Sequence, residues 1–275
     1  MKSNVCSYSY SRNEVKAGIL HIGVGNFHRA HEEFFTNLLL EDATQRNWGI
    51  CGAMLLPFDE RLFKALKKQN GEYTLTVCGR DGKDEAHRIG SLVELLWGME
   101  DPEAVLNKIA DKDIRIITLT ITEGGYNIAK ATGEFMIDNA DVQHDIAHPA
   151  QPKTAFGYVA EGLRRRMAAA HGPITILSCD NLQHNGHTAR KAFTTFFEAQ
   201  DPKLAAWVKE NVTFPNSMVD RITPATRPED VERLNAKNGT DDVAPVYCED
   251  FIQWVIEDNF IAGRPAWEKV GAEFT

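Results

Sequence analysis

Two glycines stand where chemistry on a phosphate could begin, in the run Gly23-Val24-Gly25-Asn26-Phe27-His28-Arg29-Ala30-His31. A pyrophosphate needs backbone N–H groups aimed at it and a main chain that can come close, and glycines at a strand-to-helix junction meet both needs. Gly23, Gly25, Asn26 and Phe27 are therefore candidate cofactor-binding positions. His28 occupies the place of the third glycine in the usual dinucleotide fingerprint, so the pattern also fits a plain tight turn. His28, Arg29 and His31 fall in the first helical turn, where cationic groups add to the pull of the helix dipole on phosphate; the plainer alternative is that the histidines only solvate the helix start.

A dinucleotide also needs an acid for its ribose, at the end of the second strand of the unit. Asp59, just after Leu55-Leu56-Pro57-Phe58, is the first in register, although it lies further from Gly25 than the usual spacing of about 20 residues. A carboxylate there repels a 2′-phosphate, so NAD is expected over NADP, with neighbouring Arg61 keeping NADP open. Asn181 follows a buried-strand pattern, at the strand end where open α/β sheets bind ligands; its amide can donate to an oxygen that gains charge during hydride transfer, or cap the next helix. Glu123 marks another strand end, where it can serve a cofactor ribose or a proton path, or satisfy the Gly124-Gly125 turn. His184 and His187, with Cys179 and Asp180, raise a zinc reading, but with a helix starting between them the histidines need not share a face. No metal is expected.

These residues need a frame to hold them. Residues 17–24 read as a buried strand, 34–40 as a helical face, 48–56 as a second strand and 61–69 as a helix closed by Gly71. Residues 73–78 alternate like a strand, break at Gly79-Arg80-Asp81-Gly82 and resume over 87–96, which predicts an antiparallel hairpin inserted on the sheet. The alternation then continues with a helix at 101–110, strands at 114–121 and 174–178, and helices at 156–170 and 188–198. The fold class is α/β, a doubly wound and mostly parallel sheet. Residues 224–242 are polar and read as a long loop or a short helical excursion.

Composition narrows the function classes. The chain has 275 residues, 43% hydrophobic and 25% charged, which suits a globular α/β protein and excludes disorder as its main theme. A net charge of -9 argues against nucleic acid as a partner, with Arg164, Arg165 and Arg166 assigned to an exposed helix face. Residues 1–16 lack an apolar core of leader length and no stretch is apolar enough for a membrane span, so a cytoplasmic protein without membrane contact is expected. Five widely spaced cysteines predict reduced thiols rather than a disulfide framework.

Taken as a group, GVGNFHRAH, QNGEYTL at 69–75, TLTITEGGY at 118–126, SCDNLQHNG at 178–186, FPNSMVDRITP at 214–224 and CEDFIQWVIEDNFIAGRPAWEKVG at 248–271 resemble the polyol-specific long-chain dehydrogenases, the family of mannitol 2-dehydrogenase and fructuronate reductase. The blocks occur in family order along nearly the whole chain. The resemblance implies a Rossmann-type domain over residues 1–275, NAD as cofactor, and a polyol such as D-mannitol or a hexuronate as substrate. It makes Asn181 the donor to the reacting oxygen and Asp220 a substrate contact, for which a salt bridge to Arg221 or Arg227 is the plainer role. It also implies a helical second domain bearing a catalytic lysine, in a motif beyond the WEKVG block that this sequence does not contain; Lys269 belongs to WEKVG itself. A chain cut short is therefore expected, with residues 246–275 as the lead-in to the second domain, an exposed cleft wall around Trp254 and Phe260, and some self-association through it. The alternative is a non-catalytic nucleotide-binding module working through a partner.

Overall fold

The computed structural model describes residues 4–275; residues 1–3, the start of the stretch read above for a leader, lie outside the described residues. Its centre is a six-stranded sheet made, in chain order, of Ala17–Ile22, Gly49–Met54, Leu92–Trp97, Ile116–Leu119, Ile174–Ser178 and Val212–Thr213. Numbered one to six in that order, the strands lie side by side as 3-2-1-4-5-6, and every pairing is parallel. This is the doubly wound Rossmann-type order, whose direction reverses between strands 1 and 4.

Strands 1, 2, 4 and 5 are buried at every position. Parallel strands covered on both faces require that, which explains the near-continuous apolar runs in the sequence. Neighbouring residues of one strand serve different cores: Leu20 and Ile22 join one cluster with Leu106, Leu163 and Phe193, while Ile19 joins another with Phe35, Leu66 and Trp254. The first cluster lies under helices Pro102–Ala110, Ala155–Ala168, Asn185–Gln200 and Pro202–Asn211. Their starts are chemically set: Asp101 Oδ1 accepts from Ala104 N at 2.9 Å with Pro102 in the first turn, and Thr154 Oγ1 accepts from Gly157 N at 3.1 Å.

The hairpin departs from its predicted place. Tyr73–Cys78 pairs antiparallel with Asp84–Ile89, but Leu92–Trp97 turns away and becomes strand 3 of the parallel sheet. The hairpin belongs to a separate four-stranded sheet, completed by Val5–Cys6 and Val246–Glu249. The polar stretch at 224–242 contains a full helix, Pro228–Asn238, ended by Gly239 in the left-handed region. Helix Ala140–Ala147, started by Asn139, lies in a stretch that carried no sequence assignment.

Residues 246–275 are built into the body of the fold. Gln253–Ile256 lies between Ser217–Asp220 and Glu273–Phe274 in a three-stranded sheet. The exposure expected around Trp254 is overturned: its side chain is fully buried, with its ring 4.4 Å from that of Trp267 and 5.4 Å from that of Phe35. Phe260 is half-buried and meets Phe274. Large aromatic surface of this kind is buried against the helix Glu32–Leu39 because the chain folds back beneath it; Trp267 Nε1 also donates to Thr36 Oγ1 at 3.2 Å. No helix among the described residues is long and apolar enough to cross a membrane.

Candidate functional site

Strand 1 is followed by Gly23, whose φ of +100° lies in the left-handed region. A Cβ there would meet the Thr120 carbonyl oxygen at 2.1 Å, so the close approach of strands 1 and 4 admits only glycine. Gly25 precedes the short helix Asn26–Ala30, and a Cβ built on it would find no atom nearer than 3.9 Å. Its bare backbone therefore faces open space rather than packed protein.

That space is a cavity of about 480 Å3. Gly23, Val24 and Gly25 form one wall, Leu55, Leu56, Phe58 and Asp59 beyond strand 2 a second, and Thr120, Ile121, Thr122, Gly124 and Gly125 beyond strand 4 a third. Residues 139–142 and 153–156 close the far side. The cleft thus lies outside the carboxyl ends of strands 1, 2 and 4, at the reversal of strand order where doubly wound sheets take ligands. Asp59 sits across it from the glycines, with one carboxylate oxygen accepting from Leu56 N at 2.9 Å. Burial raises its pKa above the usual carboxylate value.

The residues after the glycines do not extend the cleft. His28, expected at a phosphate, is fully buried: its ring stacks on His21 at 3.3 Å, Nε2 lies 3.0 Å from Glu33 and Nδ1 3.3 Å from Glu32. Burial opposes charge on His28, but the carboxylates of Glu33 and Glu32 outweigh it and lift its pKa to about 9. Arg29 is also buried, donating to the Ala244 carbonyl at 2.6 Å and to Asn26 Oδ1 at 2.7 Å. His31 packs between Phe27 and Trp254 and approaches the Gln253 carbonyl at 2.8 Å; burial lowers its pKa to about 4. Asn26 donates to the Pro224 carbonyl and Thr226 Oγ1, tying down residues 224–226. The cationic reinforcement expected of His28, Arg29 and His31 is corrected accordingly. The helix turns at His31, and Tyr73, Ala244 and Gln253 reach its polar residues from far along the chain, which a sequence window cannot foresee.

His21, His28 and Glu32 bring three ligand-type atoms within 4.8 Å of one another. They do not form a metal centre, because an imidazole ligates in its ring plane and these two rings are stacked 7° from parallel. The geometry serves charge instead: an imidazolium at His28 compensates two buried carboxylates, and Thr118 Oγ1 donates to Glu32 at 2.9 Å.

Beyond strand 5, Asn181 is exposed at the carboxyl edge of the sheet, open to solvent on the side where strands 1 and 4 end. Glu123 is also exposed, on the single helical turn Thr122–Gly125. Asp220 is exposed at the end of Ser217–Asp220 and makes neither of the salt bridges considered: Arg221 donates to the Ala30 carbonyl at 2.7 Å and Arg227 lies 4.0 Å from Glu229. His184 and His187 bracket the start of helix Asn185–Gln200 as the sequence predicts, and their rings stack at 5.6 Å. Cys179 is buried with its thiol pushed up by burial. Lys269 pairs with Asp42 at 2.8 Å on the surface. The acid that satisfies the turn after strand 4 is Asp180 rather than Glu123: it accepts from Ile121 N at 3.0 Å, Thr122 N at 2.9 Å and Tyr126 Oη at 2.7 Å. The sequence reading gave this role to Glu123, although Asp180 stood next to Asn181.

Comparison with known proteins gives a match over residues 17–269 to the family described as the mannitol dehydrogenase Rossmann domain. The polyol:NADP oxidoreductase of Gluconobacter oxydans (strain 621H) is 48% identical over 275 residues, covering 99% of this chain and 56% of that protein. The D-mannonate oxidoreductase of Escherichia coli (strain K12) is 44% identical, covering 97% of this chain and 55% of the relative. The Pseudomonas fluorescens mannitol 2-dehydrogenase, solved as a ternary complex with NAD and D-mannitol, superposes with a TM-score of 0.96 at 44% identity, over 99% of this chain and 55% of that one. The chain spans about half the length of the curated relatives it matches.

Proposed function

We propose, from the premise that this chain belongs to the mannitol dehydrogenase family, that it is the cofactor-binding part of a nicotinamide-dinucleotide-dependent oxidoreductase. The reaction is the interconversion of a polyol such as D-mannitol with a ketose such as D-fructose, or of a sugar acid with its keto form. The observation that carries this reading is the cleft of about 480 Å3 in which Gly23, Gly25 and Asp59 face one another at the switch point of the sheet.

The residues present fit a dinucleotide. Gly25 leaves main chain uncovered at the start of helix Asn26–Ala30, where pyrophosphate oxygens find N–H groups that have no partner within the helix. Asp59 accepts from the ribose hydroxyls. When bound, the dinucleotide supplies the hydride acceptor. Asn181 donates to the substrate oxygen as it gains charge, and Asp220 accepts substrate hydroxyls from the adjacent sheet. The family resemblance places the proton-accepting lysine in a helical second domain; dinucleotide binding is what is proposed for the residues of this sequence.

Asp59 favours NAD, because its carboxylate repels a 2′-phosphate. Titration of the purified chain with NADH and NADPH, followed by quenching of protein fluorescence, is expected to show tighter binding of NADH by about tenfold or more, narrowed in Asp59→Ser. Equal affinity for both in the wild type refutes the preference. Binding of neither refutes the reading of the cleft.

A further inference from the structure

Thr122 has φ +66°, in the left-handed region that β-branched residues avoid, and it lines the cleft. Strain of this kind persists only where surrounding contacts over-determine the backbone. Here the contacts come from one residue of the neighbouring strand end. Asp180 is buried, and its two carboxylate oxygens accept from three neutral donors: Ile121 N, Thr122 N and Tyr126 Oη. The phenol of Tyr126 also meets Ser178 Oγ at 2.5 Å, and no cation is paired with Asp180 among the described residues. From the other side, Asn185 Nδ2 donates to the carbonyls of Ser178 and Asp180, each at 3.1 Å. The segment 178–180 is thereby clamped between the strained turn and the start of helix Asn185–Gln200.

We infer that Asp180 is a positioning residue that holds the Thr122–Gly125 turn in its strained form as the third wall of the cleft, and so sets the affinity for the dinucleotide without touching it. The inference rests on the cofactor reading of the cleft. A carboxylate suits the task because both oxygens are acceptors, so it can take two adjacent N–H groups and a hydroxyl at once. An asparagine in the same volume offers one acceptor and one NH2 group, and the NH2 group must face a donor. The clamp opens, and Thr122 is free to relax to negative φ. Since Asn181 is the next residue, the same carboxylate fixes the main chain from which the proposed oxygen donor projects.

The test measures NADH affinity in wild type, Asp180→Asn, Thr122→Gly and the double variant, together with amide hydrogen exchange over residues 120–126. Asp180→Asn is expected to weaken NADH binding about tenfold and to speed exchange at Ile121 and Thr122. Thr122→Gly, free to adopt positive φ without strain, is expected to restore most of the lost affinity when added to the Asp180→Asn variant. A merely structural role for Asp180 would lower thermal stability with no recovery by Thr122→Gly, and that result overturns the inference. Unchanged affinity in Asp180→Asn overturns it as well, while leaving the cofactor reading intact if wild type binds. Failure of wild type to bind NADH overturns both. Should Asp180→Asn not fold, Tyr126→Phe removes one of the three donors and carries the same expectation of weaker binding rescued by Thr122→Gly.

Discussion

The buried imidazolium at His28 makes stability depend on pH in a way that can be worked out residue by residue. Its pKa rises from 6.5 to about 9 because Glu33 and Glu32 outweigh the opposing effect of burial. That displacement corresponds to about 3 kcal/mol of stability held by the charged form. The folded state holds this proton more tightly than the unfolded chain does. The contribution is therefore complete below pH 6.5 and vanishes as pH rises through 9. His21 and His31 act in the opposite sense. Burial lowers both to about 4, so the unfolded chain takes their protons first and stability falls as pH drops from 6.5 toward 4. Maximum stability is expected near pH 6.5.

Substituting His28→Gln removes the proton but keeps the two carboxylates, at a cost of about 3–5 kcal/mol at pH 6.5 for leaving buried charge uncompensated. Between pH 6.5 and 9.5, urea denaturation of wild type should show a loss of about 3 kcal/mol that the variant lacks. Parallel pH profiles for the two proteins would refute the assignment of the charge to His28. A stability loss for His28→Gln below about 1 kcal/mol would refute the idea that Glu32 and Glu33 depend on it.

Two further outcomes follow from packing. Gly23→Ala places a Cβ 2.1 Å from the Thr120 carbonyl at a φ of +100°, so a destabilisation of at least about 2 kcal/mol is expected, with loss of NADH binding; a variant that binds normally would show that strands 1 and 4 can part there. Trp267→Ala empties a fully buried site against Trp254 and is expected to cost about 3–5 kcal/mol in denaturant unfolding, whereas a change under about 1 kcal/mol would mean that residues 246–275 are not part of the cooperative core.

The sequence by itself determined the alternation of strand and helix, and with it a parallel sheet covered on both faces. Apolar runs such as residues 17–22 and 174–178 have no other economical use in a chain of this composition. It also marked Gly23 and Gly25 as a strand-to-helix junction, where the structure places the cleft. Asp59, the first acid after the second strand, lines the same cleft. Helix caps at Asp101 and Thr154 are local chemistry as well.

Tertiary structure decided what no window of sequence contains. His28, Arg29 and His31 look like phosphate ligands in isolation, but Tyr73, Ala244 and Gln253 reach that face from far along the chain and bury it with its charges. Leu92–Trp97 continues the hairpin pattern, yet pairing with Gly49–Met54 draws it into the central sheet. Trp254 and Trp267 meet across twelve residues of intervening chain only because the terminal segment folds back beneath the glycine-turn helices. Asp180 and Thr122 lie 58 residues apart in the chain and 2.9 Å apart in space. Periodicity and capping rules act over a few residues, whereas side-chain charge and strained backbone are settled by whichever distant segments close around them.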